Sequence, residues 1–88
     1  MPASSETVVA LPADVDLHAR PAAEFVKTAM RFAADIFVAA GDREVNAKSL
    51  LSVLGLGAKG GTTLRLRAEG GDAADALAVL RGCVTTLQ

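Results

Sequence analysis

The segment Leu17-His18-Ala19-Arg20-Pro21-Ala22-Ala23 places the only histidine of the chain at the start of an amphipathic helix. Unsatisfied backbone N–H groups and the positive end of the helix dipole gather at such a start. The dipole disfavours an imidazolium cation, so the His18 ring is expected to stay neutral near pH 7, with a nitrogen available as nucleophile. A phosphate on that nitrogen would face an anion-binding helix terminus formed by the backbone of Ala19 and Arg20. The Arg20 side chain adds a guanidinium able to bind phosphate oxygens through two parallel hydrogen bonds. A histidine so placed also serves as a cap or a plain surface residue, and an arginine in a first turn is often only solvated. No carboxylate pair, metal-spaced His/Cys cluster or Gly-x-Ser-x-Gly elbow competes for the chemistry. Gly55-Leu56-Gly57 and Gly60-Gly61 lack the spacing and the Lys-Ser/Thr of a nucleotide loop. Neither a metal nor a cofactor is expected, and any chemistry falls to His18.

The elements that must position this segment follow from the pattern of apolar residues. After a loose end at Met1–Ser5, the run Thr7–Pro12 reads as a strand closed by proline. Pro21 fits a first helical turn, having no N–H to lose, and Ala22, Phe25 or Val26, Ala29 and Met30 recur at helical spacing. The helix is expected over about Ala19–Phe32. Asp35–Ala40 forms a second strand, Gly41-Asp42 a turn and Arg43–Asn46 a third strand. Ser49 opens a short helix, Leu50–Leu54, which Gly55-Leu56-Gly57 closes. In Thr62–Glu69 the residues Leu64, Leu66 and Ala68 alternate with polar ones, as in a strand with one face on a core. Gly70-Gly71-Asp72 caps a last helix carrying Leu77, Leu80, Val84 and Leu87. The order βαββαβα implies an α/β (α+β) fold. It would be an open-faced sandwich of a four-stranded, mainly antiparallel sheet with three helices on one face.

The chain has 88 residues, read as one domain over 1–88. Its formal net charge is −1 and its hydrophobic fraction 51%, mostly Ala, Val and Leu with three Phe and no Trp or Tyr. Small core side chains demand close backbone packing. No basic, aromatic-interleaved patch marks a nucleic-acid surface. The apolar stretch Leu50–Ala58 is too short to span a bilayer, so no membrane insertion is expected. The polar Met1–Thr7 does not resemble a secretion signal. A single cysteine, Cys83, cannot form an internal disulfide, which suits a reducing cytoplasm; it is read as a small core residue.

Two motifs carry a resemblance over nearly the whole chain. Leu17-His18-Ala19-Arg20-Pro21-Ala22 resembles the active-site motif of HPr, the histidine-containing phosphocarrier of the phosphoenolpyruvate-dependent sugar phosphotransferase system. Asn46–Gly61 is similar to that family's helix bearing a regulatory serine, here Ser49. The resemblance implies a monomeric carrier rather than an enzyme. Enzyme I would pass a phosphoryl group to Nδ1 of His18, which donates it to enzyme IIA domains, with Arg20 holding and releasing it. It implies a docking surface for these partners built with Leu50, Leu51 and Leu54, of which at least one is expected in the core instead. It also implies an alternative: a regulatory relative that binds a transcriptional regulator or enzyme, with Ser49 modified by an HPr kinase/phosphorylase. Ser49 is in any case expected to cap its helix, worth about 0.5–2 kcal/mol against alanine.

The chain departs from the family just before His18. Where the family usually has a polar residue and then glycine, this chain has Val15 and Asp16. Val15 cannot hydrogen-bond near the imidazole. Asp16 brings a negative charge toward an incoming phosphate; alternatively its carboxylate caps the helix or orients the ring.

Overall fold

A computed structural model describes residues 4–88 of the chain. The elements are β1 (Ser4–Ala10), α1 (Ala19–Ala29), β2 (Asp35–Ala40), β3 (Arg43–Asn46), α2 (Leu50–Gly55), β4 (Thr63–Glu69) and α3 (Ala73–Thr85). The strands form one sheet in the order β1-β4-β2-β3, with every neighbouring pair antiparallel. The βαββαβα order and the open antiparallel sheet are those expected from the sequence.

Alternation in the strands decides which face is covered. In β4, Leu64, Leu66 and Ala68 are buried while Thr63 and Arg65 face water. Val9, Ile36 and Val38 extend the buried face across the sheet, and against them pack Phe25 from α1, Val53 from α2, and Leu77, Leu80 and Val84 from α3. Fully buried Ala22, Ala29 and Ala76 allow the helices to approach closely, which is how a core poor in aromatic residues reaches dense packing. On the opposite face, Arg67 bonds Glu44 and Glu69 and lies 4.2 Å over the Phe37 ring. No described helix is long and apolar enough to cross a membrane.

Some boundaries differ from the sequence expectation. β1 starts at Ser4 because Ser4 and Ser5 pair in register with Glu69 and Ala68; backbone pairing needs no apolar side chain. Met1–Ala3 lie outside the described residues. β1 ends at Ala10, before Pro12, although Leu11 still donates to the Thr62 carbonyl at 2.9 Å. α1 stops at Ala29, and the chain leaves it through tighter bonds from Arg31 to Thr28 and from Phe32 to Ala29.

Asp72 stands at the N-cap of α3, but its carboxylate does not cap that helix. It accepts the amides of Ala33 (2.9 Å) and Ala34 (2.8 Å), fastening the turn between α1 and β2 to the start of α3. Gly70 permits this approach: its φ is +141°, and a Cβ there would lie 2.9 Å from Ala34 Cα. The Ala33 amide chiefly, then that of Ala34, holds the Asp72 carboxyl below its ordinary value against a smaller opposing effect of desolvation. A lowered folded-state value means that the stabilisation is complete above the unfolded value near 4 and is lost as pH falls through the folded one. Asp72→Asn is therefore expected to melt below the parent protein at pH 7, with the gap closing as pH drops below about 4. Melting curves across that range test it.

Candidate functional site

His18 is held by its neighbours rather than by its own side chain. Leu17 is buried, and its amide donates to the Ala58 carbonyl at 2.8 Å. Val15 is buried too, so the residue that departs from the family pattern serves as a core anchor for the loop before α1. His18 occupies the N-cap of α1 in an extended conformation (φ −91°, ψ −166°), its carbonyl accepting the Ala22 amide at 2.9 Å. Its ring is exposed and makes no capping bond, so the cap role is not realised.

The first turn of α1 leaves donors unused. Among the described residues, nothing accepts from the amides of Ala19 or Arg20. Pro21 has no amide hydrogen and is buried, anchoring the turn from below. Two amides at the positive end of an 11-residue helix thus stand open beside an exposed imidazole. The Arg20 side chain is exposed and makes no hydrogen bond or ion pair among the described residues. It lines a hollow with Pro21, Glu24 and the end of α3, whereas His18 lines a separate shallow depression with Asp16, Leu17, Leu54, Gly57, Ala58 and Lys59.

The α2 residues divide. Ser49 is the N-cap, its Oγ accepting the Ser52 amide over a long 3.4 Å. Val53 takes the buried position, Leu54 is half-buried against the core and beside His18, and Leu50 and Leu51 are exposed, Leu51 at 83%. Leu50, Leu51 and Ser49 do not line the His18 depression. Cys83 is only half-buried, 3.6 Å from Thr28 Oγ1.

Among the described residues Asp16 makes no capping bond to α1 and no hydrogen bond to the ring. Its Oδ1 accepts the Gly60 amide at 2.7 Å, and its Oδ2 lies 3.9 Å from Lys59 Nζ. The sequence reading assigns Gly60-Gly61 only to the approach of a strand. A contact between residues 44 apart leaves no periodic trace, and the absence of a Cβ at Gly60 is the only signal for it. Among the described residues no group of three His, Cys, Asp or Glu is placed to hold a metal ion.

Comparison with known proteins gives one consistent answer. The family model for the PTS HPr component phosphorylation site matches residues 5–86. Phosphocarrier protein HPr of Haloferax volcanii is 45% identical over 82 residues, 91% of each chain. HPr-like protein Crh of Bacillus subtilis is 43% identical over 68 residues, 77% of this chain and 80% of its own. The crystal structure of a phosphocarrier protein HPr from Bacillus anthracis superposes with a TM-score of 0.89 at 38% identity, covering 94% of this chain and 99% of the other.

Proposed function

The chain belongs to the HPr family, and on that footing we propose that it is a phosphoryl carrier whose acceptor is Nδ1 of His18. The observation that carries this reading is the exposed imidazole at the N-cap of α1, unused by the fold, beside the open amides of Ala19 and Arg20. With the ring proton on Nε2, the Nδ1 lone pair attacks phosphorus on phosphorylated enzyme I. The N–P bond forms as the donor's bond to phosphorus breaks, and the group is later handed to an enzyme IIA domain by the same exchange. The chain supplies position and charge rather than covalent help. The two amides and the Arg20 guanidinium receive the phosphoryl oxygens. On the same family reading the carrier acts as a monomer in the cytoplasm.

Incubation with enzyme I and labelled phosphoenolpyruvate tests the reading. Acid-labile label on the chain supports it; absence of label on His18 rejects it. Within the same assay Arg20→Ala is expected to slow transfer by about 10- to 100-fold, with Arg20→Lys between the two, because lysine restores charge without the planar fork.

A second role is favoured by the surface of α2. Leu50 and Leu51 are exposed on a helix of only six residues next to Ser49. With Leu54 they would dock enzyme I, enzyme IIA and a transcriptional regulator, and phosphate placed on Ser49 by an HPr kinase/phosphorylase would add charge at that surface. Acid-stable label on serine, with none on histidine, would make regulation the main function.

A further inference from the structure

We propose that Asp16 is a positioning residue for His18, its carboxylate latching the loop before α1 onto the loop after α2. The proposal rests on His18 being the phosphoryl acceptor. Asp16 is bonded in two directions at once: its carbonyl accepts the His18 amide at 2.8 Å, and its carboxylate accepts the Gly60 amide at 2.7 Å. A movement of Asp16 therefore passes directly into the backbone that aims the ring. The loop it reaches is pressed against the loop before α1, since a Cβ on Gly60 would run into the Ala13 carbonyl oxygen. Backbone bonds close the two loops on either side, Leu17 to Ala58 and Leu11 to Thr62, and Asp16 supplies a side-chain link between them.

The carboxylate contributes geometry more than charge. Its side chain is half exposed, and the Lys59 ammonium at 3.9 Å partly offsets it toward an incoming phosphoryl group. An oxygen acceptor without the charge should then suffice, which separates this role from electrostatic tuning.

The test compares parent, Asp16→Ala and Asp16→Asn as acceptors from phosphorylated enzyme I, together with hydrogen exchange of the Gly60 amide. Asp16→Ala is expected to lower the rate at saturating donor by about 3- to 10-fold with little change in KM, and to speed Gly60 exchange. Asp16→Asn, which keeps the acceptor oxygen, is expected to stay within about twofold of the parent with Gly60 still protected. An unchanged rate in Asp16→Ala overturns the proposal, as does an equal loss in both variants, which would assign the effect to charge. A parent protein that takes up no label sinks the carrier reading itself and this role for Asp16 with it.

Discussion

Replacing His18 with alanine is expected to reduce phosphoryl uptake from enzyme I to background while leaving the fold intact. The chain has no second histidine, so no other imidazole can take up the phosphoryl group. The alternatives differ in chemistry: Ser49 would give an acid-stable ester, and the Cys83 thiol is half-buried on α3 and does not line the His18 depression. The fold should not notice the change. The ring is exposed and makes no capping bond, while the backbone bonds that shape the loop belong to Leu17, His18 and Ala22. Stability should stay within about 0.5 kcal/mol of the parent, as for surface substitutions away from special features. Labelling at the parental rate would remove His18 from the chemistry. A large fall in stability would instead make it a structural residue.

The largest expected effect on the fold is at Phe25. This ring is fully buried and heads the largest of the fully buried side chains. It sits on α1 opposite the sheet, where the surrounding positions are filled by alanine, valine and leucine. Such neighbours cannot extend into the space that the ring leaves, and the antiparallel sheet resists collapse. Phe25→Ala is therefore expected to cost about 3–5 kcal/mol. That is a large share of the roughly 5–15 kcal/mol that holds a domain together. The melting temperature should fall by about 15–30 °C in a chain of this size. Phosphoryl uptake should decline with the folded fraction, because α1 carries the acceptor at its start. A loss below about 1 kcal/mol in urea titration would mean that the core does not centre on this ring.

Much of this was legible in the residues themselves. The apolar spacing from Ala22 to Ala29, with Pro21 in the first turn, located the helix and therefore His18 at its N-terminus. Alternation in Leu64, Leu66 and Ala68 marked the covered face of the sheet. The motif around His18 pointed to the HPr family, which the family model bears out. What stayed hidden has a common cause. Asp72 binds amides 38 and 39 residues away, and Asp16 binds one 44 residues away; neither distance leaves a mark in a local pattern. Strand order is similarly a matter of pairing across the chain. The six residues of α2 are too few to fix a helical phase, which is why Val53, rather than one of the leucines, proved to be the one wholly buried there. Nor does spacing place a long side chain such as Arg20, which lines a different hollow from His18.

The central claim concerns where phosphorus sits and what receives its charge. Nitrogen and amide-proton spectra of the chain before and after phosphorylation by enzyme I report both at once. The account predicts phosphorus bonded to Nδ1 of His18, with the Ala19 and Arg20 amides shifting more than any others. Phosphorus on another residue, or those two amides unmoved, would contradict it.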